Sequence, residues 1–332
     1  MHGRMTMTMK QGKALFSNRG IALLVVLWIL TILIVIVLSF AFMARTEVYS
    51  TITFREGVEK KFVAEAAIER GIVELYYRFA NKNQTMAVEG SEIVRIDGRL
   101  YRGGVGGSWY SFAITDESGK ISINTLTDAN GVILNNLLVN MGISGDDANT
   151  IVDSILDWED SDNLRRLHGA EDEYYLSLPI PYRAKNGRFD TIEELLLVKG
   201  MTTDILFGSG SRPGLIGFLT IYTDSPIINV NAAPREVLMA LPDITATMAD
   251  RIIEAREEMS LKGPQDIAGI IGDVLGRVTG YIGFEDANVY TIEGKGFGKD
   301  EKRGFTVRAI VAIEGGNRYR YVYYKSPADT RQ

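Results

Sequence analysis

The sequence predicts an α+β fold in which a long N-terminal helix packs on an antiparallel sheet and a large all-α segment is inserted between the strands. Three observations carry this reading. An uncharged run, Ile21 to Met43, passes directly into an amphipathic pattern. Short alternating apolar runs occur after Asn83 and again from Asn288, and residues 125–285 between them are dominated by helical spacing.

The first 20 residues contain Arg4, Lys10, Lys13 and Arg19 and no acid, which holds this end in the cytoplasm and the body of the chain outside it. At ~1.5 Å per residue the apolar part, residues 21–43, spans about 34 Å, enough for a bilayer core. It is too long for a cleaved secretory signal. Through residues 44–83 the helical pattern continues, with Val48, Ile52, Phe62, Ala66, Ile72, Leu75 and Phe79 as the apolar set and Glu47, Glu56, Lys60, Glu69 and Arg78 as the solvated one. The two parts form one helix of about 60 residues, roughly 90 Å if unbroken.

A basic leader, Gly20 directly before Ile21, and an amphipathic extension entering a β domain resemble the type IV pilins and the pseudopilins of type II secretion. The resemblance implies that residues 1–20 are a leader. A prepilin peptidase cuts between Gly20 and Ile21 and methylates Ile21, and the helix is retained as an anchor that packs into a filament. Most members carry Glu at the fifth mature position, where it pairs with a neighbouring subunit's N-terminus; here that position is Val25. A carboxylate in hydrocarbon is costly unless paired, so a subunit with nothing above it has no use for one. The missing Glu, together with "RGIALLVVLWILTIL", resembles pseudopilin K of the general secretion pathway.

Residues 84–124 and 219–332 then correspond to the two parts of a pilin-like domain. "EIVRIDGRLYR" predicts a hairpin turning at Asp97-Gly98, and "SWYSFAITDESGKISINT" a second pair around Asp116 to Gly119. The C-terminal segment predicts three strands, with turns near 298–303 and at Gly315-Gly316. "EGKGFGKD", residues 293–300, lacks the ending and the following helix of a phosphate loop and predicts a flexible hairpin tip.

The inserted helical domain, 125–218, begins a weak internal repeat. "ISINTLTDANGVILNNLLVNMGISGDDANTIVDSILDW" parallels "IINVNAAPREVLMALPDITATMADRIIEARE", with Asn124 and Asn231 at the entries and Ala148 and Ala249 opening the second helices; "FDTIEELLLVKGM" and "GPQDIAGIIG" are looser parallels. The units, the second at 226–275, resemble helix-hairpin-helix modules. Such modules often bind DNA through hairpin glycines, but Asp146, Asp147 and Asp243 put carboxylates where a phosphate would sit, which favours a packing role.

Between the repeats Asp153, Asp157, Asp160 and Asp162 crowd one helix end, and Glu171, Asp172 and Glu173 follow closely. Ca²⁺, a hard ion taking oxygen ligands, compensates such density. Ion pairs with Arg165 and Arg166, or a solvated acidic loop, would do so equally, and the spacing is not that of an EF-hand. "DW-D-D…GAEDEYY…PYRAKN" again resembles pseudopilin K, and that resemblance implies Ca²⁺ held by some of Asp157, Asp160, Asp162, Glu171 and Asp172.

Composition agrees with a non-enzymatic role. The chain has 332 residues, no Cys and only His2 and His168, so thiolate chemistry and Cys-ligated metals are excluded and a Ser-His-Asp triad would depend on His168. A net charge of −6 argues against general nucleic-acid binding. The resemblance implies a minor pseudopilin of the bacterial inner membrane with a periplasmic body. Its partners would be minor pseudopilins I and J, major pseudopilin G and the assembly platform, with contacts to the secretin or exported proteins at a pseudopilus tip. The rival readings are a membrane-anchored DNA receptor of a competence or type IV pilus system and a metal-dependent tethered hydrolase.

Overall fold

α1, Asn18–Ala80, opens the computed structural model, which describes residues 18–81, 94–210, 212–298, 304–315 and 318–328, with Asn18, Arg19 and Gly20 as helical backbone only. Arg4, Lys10 and Lys13 lie outside the described residues. The chain divides into two units, residues 1–58 and 59–332. In the first unit α1 is long and apolar enough to cross a membrane, and the side chains of Leu23, Trp28, Phe40 and Phe42 are exposed.

In the second unit α1 buries Val63, Ala64, Ala67, Ile68, Ile72 and Leu75, most of them in a core with Phe112, Ile114, Tyr290, Ile292, Val307, Ala309 and Val311 of the sheet. This corrects the apolar stripe expected from sequence: Phe62 is 62% exposed and Ala66 only half-buried. The physical reason is close approach. A Cβ added at Gly294 would lie 2.6 Å from Ala64 O, and one at Gly296 would lie 2.5 Å from Ala64 N, so the small residues of α1 settle on a glycine strip of the sheet. A stripe chosen for large residues misses a face chosen for small ones.

β1, Asp97–Val105, and β2, Ser108–Asp116, form a hairpin whose turn is Gly106-Gly107, with φ of 58° and 85°. Two left-handed residues in sequence suit the two-residue turn that matches strand twist. Asp97-Gly98 is therefore not the turn: Gly98 lies inside β1 beside a register shift between Asp97 and Leu100. Nor does the chain after β2 fold back on it. A 3-10 turn, Glu117–Gly119, leads to β3, Ile121–Ser122, which pairs elsewhere.

The helical part follows as α2 (Gly131–Asn140), α3 (Gly145–Glu159), α4 (Asp172–Leu176), a 3-10 helix (Ile192–Leu197) and α5 (Thr203–Phe207). After the short pair β4 (Gly208–Ser209) and β5 (Arg212–Pro213) come β6 (Leu219–Thr220) and β7 (Ile228–Asn229). Then α6 (Arg235–Ala240), α7 (Ala246–Glu258), α8 (Pro264–Ile271) and α9 (Leu275–Val278) lead to β8 (Ile282–Gly283). β9 (Val289–Phe297), β10 (Phe305–Glu314) and β11 (Arg318–Lys325) complete an antiparallel five-stranded sheet of order β1-β2-β9-β10-β11. Glu293 to Phe297 thus belong to a strand, not to a flexible tip, and residues 299–300 of that stretch lie outside the described residues.

Two segments of the helical part fold alike. Each is closed by a parallel two-residue bridge, β3 with β6 in the first and β7 with β8 in the second. Each contains a helix, a turn with one left-handed residue (Gly142, φ 87°; Asp243, φ 62°), a hydroxyl cap (Ser144, Thr245) and a second helix. The side chain of Asn124 accepts from Phe189 N at 2.8 Å and donates to Phe189 O at 3.0 Å. Asn231 makes the same paired contact with Leu261, at 2.9 and 2.8 Å. α2 and α6 pack together, with Asn136 and Asn140 donating to the carbonyls of Ala240 and Met239. The first segment alone carries an extra loop, residues 160–188, between its second helix and the clasped residue.

These clasps are expected to be worth more than an ordinary surface contact. Asn231→Ala removes the partners of a backbone N–H and a C=O at Leu261, a buried residue. Leaving such groups unmet costs about 1–3 kcal/mol each, so urea denaturation should show a loss of roughly 2–3 kcal/mol.

Candidate metal centre

α3 supplies the centre's first side chain. Ser144 caps it by accepting from Asp147 N, and Asp146 and Asp147 sit in the first turn, where the helix dipole favours acids. Its inner face buries Ala148, Ile151, Val152, Ile155, Leu156 and Trp158. Asp157 lies among them with a fully buried carboxylate.

The loop returns to this carboxylate at Gly169, where an added Cβ would overlap Asp157 Oδ2. Lys199 fixes the return by donating to the carbonyls of His168 and Gly169 at 3.1 and 3.0 Å. α4 then places Tyr175 against Trp158, ring centroids 5.2 Å apart, and Tyr182 stacks on Tyr175 at 5.3 Å. These aromatic contacts hold Glu171, one turn before Tyr175, over Asp157, the neighbour of Trp158.

One carboxylate oxygen each of Asp157, Asp160 and Glu171 lie within 4.8 Å of one another. Glu171 is 4% exposed, and neither of its oxygens has a hydrogen-bond partner among the described residues. Asp157 Oδ1 and Asp160 Oδ2 both accept from Arg166 Nη1, at 2.8 and 2.6 Å, while Arg166 Nε reaches Asp128 Oδ1 at 3.0 Å.

The other expected ligands are occupied with the loop itself. Asp162 Oδ1 accepts from Leu164 N at 2.7 Å. Asp172 accepts from Ala184 N at 3.0 Å and pairs with Arg183 at 2.5 Å. Both still act on Glu171 through their charge. Burial first, then the charges of Asp157, Asp160, Asp162 and Asp172, push the Glu171 carboxyl up to about 7. Burial likewise raises Asp157, against hydrogen bonds from Arg166. Burial opposes the charge of Arg166, but its bonds to Asp128, Asp160 and Asp157 prevail and hold its pKa above the ordinary value.

A buried carboxylate with no donor among the described residues, facing two further carboxylates and one guanidinium, leaves uncompensated negative charge and free oxygen lone pairs. That donor set fits a hard cation such as Ca²⁺. Neither the role of Asp128 nor the absence of a donor to the Glu171 carboxylate among the described residues was legible in the sequence: Asp128 precedes Arg166 by 38 positions, and no spacing rule joins them. Arg166 was legible only as a source of ion pairs.

Gly20 and Ile21 lie in the first turn of α1, and Val25 follows with an exposed side chain. At the second hairpin Asp243 pairs with Arg277 at 2.6 Å.

Models of the family described as type II secretion system (T2SS), protein K match residues 119–207 and 228–272, and so coincide closely with the two like-folded segments. The type II secretion system protein K of Pectobacterium carotovorum subsp. carotovorum is 34% identical over 128 residues, covering 37% of this chain and 38% of that protein. That of Pseudomonas aeruginosa is 29% identical over 178 residues, 52% of this chain and 51% of the relative. That of Klebsiella pneumoniae is 26% identical over 262 residues, 72% and 75% of the two chains. The chain thus spans about two fifths to one half of the first two relatives' length. A chain of the crystal structure of the GspK-GspI-GspJ complex from enterotoxigenic Escherichia coli shares the fold, with TM-score 0.57 and 15% identity, over 85% of this chain and 100% of that one. Across these two segments of its helical part, the chain is similar to the type II secretion system protein K family.

Proposed function

We propose that the chain is a non-enzymatic minor pseudopilin, anchored in the bacterial inner membrane by α1 with its body in the periplasm. There it assembles with minor pseudopilins I and J at the tip of a pseudopilus that drives protein export. One observation carries the reading: the two protein K segments lie in a body built on a sheet-packed helix, and that helix runs on into a membrane-length apolar stretch. The solved relative is a complex of GspK with GspI and GspJ, which supports I and J as partners. The major pseudopilin G, the assembly platform, and the secretin or its cargo are the further contacts of a tip.

In this reading Gly20–Ile21 is the bond cut by prepilin peptidase, and Val25 marks a subunit with no neighbour above it. The paired helices are helix-hairpin-helix-like modules used for packing and protein contact. Asp157, Asp160 and Glu171 hold Ca²⁺, with Asp162 and Asp172 shaping the loop. The ion supplies positive charge that lets the buried carboxylates ionise together.

N-terminal mapping of the chain from cells with and without active prepilin peptidase tests the processing. Ile21 is expected as the first residue only with the peptidase, and a mature chain beginning elsewhere would overturn the assignment. Full-length chain is also expected to co-purify with I and J and to show no salt-sensitive DNA binding at physiological ionic strength; such binding would favour the DNA receptor instead.

A further inference from the structure

We infer that Arg166 is a resident counter-cation that an incoming divalent ion must displace, and that it sets both the affinity of the acidic centre and its preference for divalent over monovalent ions. The inference rests on reading Asp157, Asp160 and Glu171 as a cation site.

Arg166 Nη1 binds two of the three carboxylates that come together, Asp157 and Asp160, and leaves the third, Glu171, unmet. The second oxygens of both Asp side chains accept from backbone, Asp157 Oδ2 from Arg166 N and Asp160 Oδ1 from Asp162 N, each at 3.2 Å, so an ion bridging all three carboxylates draws on oxygens that the guanidinium holds. The two cations therefore compete for the same lone pairs. The guanidinium has somewhere to go: its Nε is already bonded to Asp128, whose side chain is 80% exposed and outside the cluster. Displacement then exchanges two charge-assisted hydrogen bonds for metal–oxygen contacts while one anchor is kept.

Selectivity follows from charge. Exchanging a guanidinium for Na⁺ or K⁺ adds no positive charge and loses directional bonds, whereas a divalent ion adds a unit of charge beside Glu171. Arg166 therefore sets a threshold that monovalent ions do not pass. Only the guanidinium has to move: the Arg166 backbone N–H donates to both oxygens of Asp157, at 3.3 and 3.2 Å, and holds the segment in place.

Calorimetric titration of the full chain in detergent with CaCl₂ tests this, comparing wild type, Arg166→Ala, Arg166→Gln and Arg165→Ala. Charge-assisted hydrogen bonds of this kind are worth about 1.5–3 kcal/mol each, and one such bond corresponds to roughly tenfold in affinity. Both Arg166 variants are expected to bind Ca²⁺ roughly tenfold tighter or more. Arg165→Ala removes an exposed charge of the same sign next door and should stay within about twofold of wild type. At constant ionic strength, replacing choline chloride by NaCl should weaken Ca²⁺ binding in the Arg166 variants and leave wild type unchanged. If Arg166→Ala unfolds in chelator, Arg166→Gln, which keeps a neutral donor, carries the comparison. Equal or weaker affinity in the Arg166 variants, or an equal gain in Arg165→Ala, would overturn the inference while leaving the site intact. No Ca²⁺ binding by any of the four chains would overturn the site and the inference with it.

Discussion

Glu171→Gln is expected to make the metal-free chain more stable at pH 8, by roughly 3 kcal/mol, and to remove most of the stabilisation that saturating Ca²⁺ confers on wild type. The carboxyl of Glu171 is buried, has no donor among the described residues, and is held at about 7 against an ordinary 4.5. The folded state therefore binds this proton more tightly than the unfolded state. Stability from this group is complete below about 4.5, declines as pH rises between 4.5 and about 7, and is lost above. At about 1.4 kcal/mol per unit of pKa difference the loss approaches 3 kcal/mol at pH 8. Gln carries no proton to lose and stays level across the window. Urea denaturation in chelator at pH 5 and pH 8 reads the difference: wild type should weaken between the two pH values and the variant should weaken much less. A parallel decline in both chains would show that Glu171 is not the group responsible. With the proposed Ca²⁺ bound, the advantage of Gln should shrink, because an ion that binds only the folded state stabilises it by mass action and Gln offers it no anionic ligand.

Gly296→Val should cost at least about 3 kcal/mol and loosen α1 from the sheet. A Cβ at this position meets backbone, Lys60 O and Ala64 N, rather than the end of a flexible side chain. Backbone of a packed helix cannot yield without moving the helix, and overpacking of this sort costs about 1–3 kcal/mol or more. Gly57→Ala is the internal comparison. It lies on the same helix with nothing within 4 Å of the added Cβ, and helix propensity favours Ala there by about 1 kcal/mol. Opposite signs in thermal or urea unfolding are the expected result, and equal effects would argue that the glycine strip does not set the packing distance.

Much of the architecture was legible along the chain. The helix from the apolar run into the amphipathic part, the three C-terminal strands, and the parallel between the segments around Asn124 and Asn231 all rest on patterns between near neighbours in sequence. Such patterns follow from the 3.6 and 2.0 periods of the backbone and need no knowledge of what lies opposite. Where the reading failed, the deciding contact was remote. Asp97-Gly98 has the composition of a hairpin turn, but Gly106-Gly107 takes that place and Gly98 serves a register shift instead. Phe62 looked like core, yet Ala64 and Ala67 are the face that Gly294 and Gly296 admit.

The same division holds at the acidic centre. Residue types and local density announced a place where negative charge needs compensation, and narrowed it to a few carboxylates between Asp157 and Asp172. Which of them meet was settled by the return of the loop at Gly169 and by the packing of Tyr175 on Trp158. Those contacts bury Glu171 without a donor among the described residues, leave Asp162 and Asp172 to tie the loop, and bring Asp128 to Arg166. A carboxylate's role depends on how much water and how many donors surround it, and both are properties of the packed chain rather than of its order.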